Sequence, residues 1–187
     1  MEYEGEHRLK QSYIEGDFKH NVFRNCQFES CDFSQASFSH AKLIDCRFVK
    51  CNLSLVKWDG CRLQNVQFNE CKVVGANFGK CDPTFLSLSF KKCLIDMGNF
   101  SDLDLKNTAF IGSVVRDTHF SHVNLTGADF RDCDLNRSLF HQCDLSKSNF
   151  ISAVNFSISP LTNKLKNARF SKETALHLLD FLGIILE

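Results

Sequence analysis

A large apolar residue recurs at every fifth position of this chain. The centres run Phe18, Phe23, Phe28, Phe33, Phe38, Leu43, Phe48, Leu53, Trp58, Leu63, Phe68, Val73 and Phe78. The register then slips by two residues inside GKCDPTFLSLSF, near residues 79–92, and resumes at Phe85 or Phe90. It continues through Ile95, Phe100, Leu105, Phe110, Val115, Phe120, Leu125, Phe130, Leu135, Phe140, Leu145 and Phe150. Such internal periodicity is read before any local propensity. A period of five fits neither the 3.6 of a helix nor the 2 of a flat strand. It fits a coil in which each unit makes one short side and one turn. Four sides close a square coil of about twenty residues, and successive coils stack at the inter-strand spacing of about 4.8 Å.

Two places before each centre stands a small or compact residue: Ala36, Ala41, Ala76, Ser113, Thr118, Ala128, Ser138, Ser148 and all ten cysteines. The cysteines are therefore one repeated slot. Cys31, Cys51 and Cys71 lie twenty apart and stack in a column, as do Cys26 with Cys46 and Cys61 with Cys81. A column of parallel side chains does not converge on a tetrahedral zinc ion, and no CxxC occurs. Parallel Cβ vectors also fit a disulfide poorly. The thiols read as small buried hydrophobes. Between slot and centre the residue is often Asp or Asn, whose side chains cap local N–H groups in turns.

Units such as ADFRD, CDLNR, CDLSK and SNFIS resemble the A(D/N)LXX pattern of pentapeptide-repeat proteins, over about Gly16 to Phe156. That resemblance implies an all-β fold, a right-handed quadrilateral β-helix. Residues 1–13 are expected to be an N-terminal cap, 14–157 the β-helix, and 158–187 a C-terminal cap and dimerisation segment. In the tail, Ser171 is the expected helix N-cap, with Glu173 in the first turn. Ala175, Leu178, Leu179 and Leu182 fall on one helical face, Gly183 stops the helix, and a short terminal strand follows. The tail resembles the topoisomerase-protecting subgroup: Qnr-type and MfpA-type proteins and the immunity proteins for microcin B17 and albicidin. The resemblance implies a homodimer joined through Leu178, Leu179, Leu182, Ile184, Ile185 and Leu186. It also implies binding to DNA gyrase or topoisomerase IV as a mimic of duplex DNA, with protection from quinolones or a peptide toxin. The alternative is a general protein-interaction scaffold with another partner.

Charge and motifs narrow the function further. With 22 basic and 22 acidic residues the formal net charge is +0, which argues against a polycation that coats nucleic acid directly. The N-terminus MEYEGEHRLKQSYI lacks the apolar run of a signal peptide, and no stretch reaches the length of a membrane span. A cytoplasmic location with reduced thiols is expected. No phosphate loop, GxSxG or HExxH is present, so no enzyme and no cofactor is expected. His20 and His40 occupy equivalent positions one coil apart but lack a third ligand. His119, His122, His141 and His177 show no metal-ligand spacing. Acidic residues gather in the second half: Asp96, Asp102, Asp104, Asp117, Asp129, Asp132 and Asp134. They are either phosphate-like groups for a partner or ordinary turn residues. The slip at Asp82, Pro83 and Thr84 is either a bulge or a short contact loop. The longer loops of Qnr-type proteins are missing, whereas MfpA-type proteins are loop-free.

Overall fold

The computed structural model describes residues 1–184 and is a right-handed quadrilateral β-helix closed by one short C-terminal helix. Every strand pairing is parallel. The usual rung is twenty residues, as in Val22↔Lys42↔Arg62 on one side and Gln27↔Arg47↔Gln67 on the next. One coil is longer. Val66 pairs with Leu88 and Lys72 with Leu94, so the slip adds two residues, after which the spacing returns to twenty at Ser89↔Ala109. Phe90, not Phe85, resumes the core, since Phe90 is buried and Phe85 points to solvent.

The four sides differ in what they send inward. Two opposite sides supply aromatic columns. Rings of Phe28, Phe48, Phe68, Phe90, Phe110, Phe130, Phe150 and Phe170 stack face to face at 4.8–5.3 Å. The opposite column stacks Phe18, Phe38, Trp58, Phe78, Phe100, Phe120 and Phe140. The columns meet edge to face, as Phe110 does with Phe120 at 5.8 Å and 88°. Both geometries are the favourable ones for aromatic quadrupoles. The other two sides are mostly aliphatic, with Leu43, Leu63, Leu105 and Leu125 facing Leu53, Val73, Ile95 and Leu135, all buried. The excess of phenylalanine thus belongs to two columns.

The corners turn through left-handed residues, except at Phe78–Lys80, where a 3₁₀ turn takes their place. Lys10, His20, Asn25, Asp45, Lys50, Asn65, Asp117 and Asp132 are among the non-glycine residues there, with φ between 48° and 59°. The preceding Asp or Asn supports the turn. Asp32 Oδ1 accepts the Ser34 N–H at 2.8 Å, and Asn99 Oδ1 accepts the Ser101 N–H at 3.0 Å. This is the local capping expected of those residue types.

Both ends depart from the expected caps. Residues 1–13 do not form a separate segment. Glu2–Glu4 and His7–Leu9 already pair with Val22–Arg24 and Gln27–Glu29, so the ladder starts in the first coil. That coil closes the core with amphipathic side chains. Tyr3 stacks on Phe23 and Tyr13 on Phe33, each at 4.9 Å. Arg8 takes the next place in the phenylalanine column, its guanidinium 4.6 Å from the Tyr3 ring and held by Glu6 at 2.6 Å. A cation over aromatic faces can end an apolar column in water.

At the other end only Lys172–Ala175 is α-helical, and Leu176–Leu182 is a tighter 3₁₀ continuation. With about 3.0 residues per turn the expected stripe does not persist. Leu178 packs on the core, whereas Leu182 is exposed. Gly183, at φ 65°, ends the segment. Ser171 stands at the N-cap position but its side chain does not cap. Its Oγ instead accepts the Ser152 N–H at 2.9 Å.

Candidate functional site

The seven candidate aspartates are spread around the rod. Asp104 lies on the side of Lys42 and Arg62, Asp129 on the side of Arg47, and Asp96 and Asp134 on the side of Asn52 and Lys72. Asp102, Asp117 and Asp132 are left-handed corners on three different edges. Turn chemistry engages three of them. Asp104, Asp129 and Asp134 accept the N–H of Lys106, Arg131 and Asn136 respectively. Arginines answer two of the other four. Arg116 donates twice to Asp96, at 3.0 and 2.8 Å, and Arg137 donates to Asp117 at 2.6 Å. Arg131 forks onto Asp129, and His122 stands 3.8 Å from Asp102. Asp129, Asp132 and Asp134 share one edge of a single coil, whereas Asp102 and Asp104 sit on another.

The loop at the slip is built tightly. Asp82 Oδ1 accepts the Thr84 N–H at 2.9 Å, and Arg62 donates to Oδ2 from Nε and Nη2 at 3.2 and 2.9 Å. Hydrogen bonds from Thr84, reinforced by Arg62, hold the Asp82 carboxyl down to about 2. Ser87 N–H returns to the Leu63 carbonyl at 2.9 Å and re-enters the ladder. Pro83, Phe85, Leu86, Asp104 and Lys106 line a shallow cleft of about 290 Å³ beside it. Sequence reading missed the outward Phe85, because a period of five counts every phenylalanine as a core candidate.

All ten cysteines are buried free thiols. Most of them also donate. Cys51, Cys71, Cys93 and Cys143 point their sulfurs at the carbonyls of Phe28, Phe48, Phe68 and Phe120, 3.1–3.4 Å away. Ser138 and Asn163 do the same to Val115 and Phe140. The slot therefore favours a small donor, which explains its mixture of Cys, Ser and Thr. Burial pushes the Cys46 thiol up to about 11 and the Cys133 thiol to about 12, the opposite of a reactive thiol. The His20 and His40 rings stack in parallel at 5.4 Å and present faces, not lone pairs, to each other. Among the described residues no group of three or more His, Cys, Asp or Glu is arranged to hold a metal ion, and no helix is long and apolar enough to cross a membrane.

The pentapeptide repeat region family matches residues 21–89 and 83–153. The chain belongs to the pentapeptide-repeat family. Its fold is similar to that of QnrB1, a plasmid-mediated fluoroquinolone resistance protein. For one trypsin-treated variant the TM-score is 0.69 at 17% identity over 99% of both chains, and for another it is 0.51 at 17% identity over both whole chains. The pentapeptide-repeat protein HetL, involved in heterocyst differentiation regulation in the cyanobacterium Nostoc, aligns at a TM-score of 0.45 and 17% identity, over 90% of this chain and 84% of its own. No curated protein matches the sequence.

At the C-terminal end of this pentapeptide-repeat rod, Leu178 and Leu179 are half-buried, while Leu182 and Ile184 are exposed. Leu161, Leu176 and Phe181 add to the exposed apolar surface there. Ile185 and Leu186 lie outside the described residues.

Proposed function

We propose that this chain is a non-enzymatic binding rod that occupies the DNA-binding surface of gyrase or topoisomerase IV and so shields it from a quinolone or a peptide toxin. The observation that carries the reading is the likeness to a fluoroquinolone resistance protein along the whole chain, both ends included. A stiff column of stacked rings holds surface charge at fixed spacing, as a duplex does. The aspartates act as phosphate stand-ins, with Asp129, Asp132 and Asp134 the densest group. Arg116, Arg131 and Arg137 are partly exposed. Exposed ion pairs contribute only about 0–1 kcal/mol each, so cations of a partner displace them at little cost. Tail-to-tail dimerisation through Leu182 and Ile184, with their exposed apolar neighbours, doubles the rod and completes a two-fold ligand for a two-fold enzyme.

Supercoiling by purified gyrase, with and without a quinolone, tests the reading. The expected result is protection at low protein and inhibition at high protein, both weakened by the triple change Asp129→Asn, Asp132→Asn and Asp134→Asn. No protection, no inhibition and no retention on immobilised gyrase sink it. Light scattering tests the dimer, since deletion of residues 183–187 is expected to halve the mass.

A second reading, a scaffold for an acidic partner, is favoured by one surface feature. Lys50 and Lys92 are corners of one edge, with Lys91 and Lys72 on the flanking sides, around Glu70. Binding abolished by Lys50→Glu and Lys92→Glu but indifferent to the aspartate changes selects it.

A further inference from the structure

Phe85 stands apart from every other phenylalanine. Its side chain is 71% exposed, whereas the column rings from Phe28 to Phe150 and from Phe18 to Phe140 are buried. It occupies a corner, at φ 59°. Among the described residues the left-handed corners are polar or glycine, with Leu55, Phe85 and Met97 as the exceptions. A bulky residue is disfavoured in this conformation. An exposed ring there also orders water without burying anything.

The loop gives the ring a fixed position. Asp82 is clamped by Thr84 and Arg62, Leu86 N–H bonds the Pro83 carbonyl at 3.3 Å, and Ser87 is back in the ladder. Pro83 fixes one backbone angle in addition. A preorganised aromatic loses little entropy on docking, and such anchors carry much of the energy of protein interfaces.

The charge around the ring selects the partner. Asp82 precedes it by three residues, Asp104 lines the cleft beneath it, and Asp45 sits on the same edge toward the N-terminus. Lys106 lines that cleft and Arg62 pairs with Asp82, so these three carboxylates face two cations. An anionic rim repels phosphate backbones and anionic membrane surfaces.

We propose that Phe85 is the anchor of this rod: it enters an apolar pocket on a protein partner whose rim is cationic. The inference rests on the topoisomerase reading above, since a surface that binds DNA supplies such a rim. Affinity for immobilised gyrase holoenzyme is measured for the full chain and for Phe85→Ser, Phe85→Leu and Met97→Ser. Phe85→Ser is expected to bind about 30-fold more weakly, Phe85→Leu to recover part of the loss, and Met97→Ser, at another exposed apolar corner on the opposite edge, to match the parent. Unchanged melting temperatures show that the exposed replacements leave the fold intact. Parent and Phe85→Ser binding within twofold of each other overturns the anchor and leaves the topoisomerase reading standing. No binding by the parent overturns both.

Discussion

The thiol of Cys133 donates to the carbonyl oxygen of Phe110, 2.9 Å away and 23 residues earlier in the chain. The bond crosses from one coil to the one before it and ties the slot of one side to the core residue of another. Cys133→Ala is expected to lower stability by about 1 kcal/mol, the usual net contribution of one hydrogen bond. Cys133→Ser is expected to lose less, because Ser138 makes the same bond to Val115 at 2.9 Å. Urea unfolding with an unchanged m-value checks both. Equal losses for Ala and Ser show that volume alone matters in the slot.

The thiols also set a response to alkaline pH. Burial raises the Cys46 and Cys133 thiols to about 11 and about 12 in the folded chain, against about 8.5 in an unfolded one. The folded state therefore holds those protons more tightly. The stability they lend is complete below pH about 8.5 and is lost as pH rises toward the folded values, by up to about 1.4 kcal/mol per pH unit for each thiol. Melting temperature is expected to be flat from pH 6 to 8 and to fall steadily from 9 to 11. Cys46→Ala and Cys133→Ala together are expected to flatten that fall. An unaltered slope in the double variant transfers the effect to other groups.

Arg62 and Asp82 hold the loop as a pair, so their removal is expected to act through the loop and not through the core. Asp82→Asn and Arg62→Ala should each speed cleavage within residues 83–87 by a nonspecific protease several-fold. The double change should add little beyond either one, since one contact is lost in all three cases. Additive acceleration breaks the link between them.

Trp58 carries a buried Nε1 with no hydrogen-bond partner, although its ring stacks between Phe38 and Phe78 at 5.3 and 5.7 Å. Trp58→Phe removes an unsatisfied donor, worth about 1–3 kcal/mol, while opening a small void. The two effects oppose, and the net change is expected to stay within about 1 kcal/mol. Phe100→Ala, which offers no such compensation in the same column, should cost about 3–5 kcal/mol. Chemical denaturation separates the two outcomes.

The sequence made the solenoid legible because its period is a direct image of the geometry: each centre from Phe18 to Phe150, Phe85 aside, falls in the core where counting places it. Counting by twenty also places the aspartates. It puts Asp104, Asp129 and Asp134 on three different sides, a dispersal hidden when they are read simply as neighbours along the chain. Three features were not legible. Arg8 looks like a surface charge in a linear reading and becomes a lid only because Phe28 and Phe48 lie below it. The donor role of the cysteines depends on carbonyls 23 residues away. The tail has no repeat to constrain it, so a helical stripe drawn at 3.6 residues per turn held at Ala175, Leu178 and Leu179 but was lost at Leu182, where the segment is a tighter 3₁₀ turn.

The coil with two extra residues carries a lesson about lineage. Val66↔Leu88 pairs strand to strand, and the twenty-residue spacing is restored at Ser89↔Ala109, Ala109↔Asp129 and Asp134↔Val154. The lattice of backbone hydrogen bonds therefore accepts new residues at a corner without passing any error to its neighbours. A chain built this way is a spindle onto which surface segments of different length are grafted one at a time. Relatives with larger outgrowths need share no more than the thread.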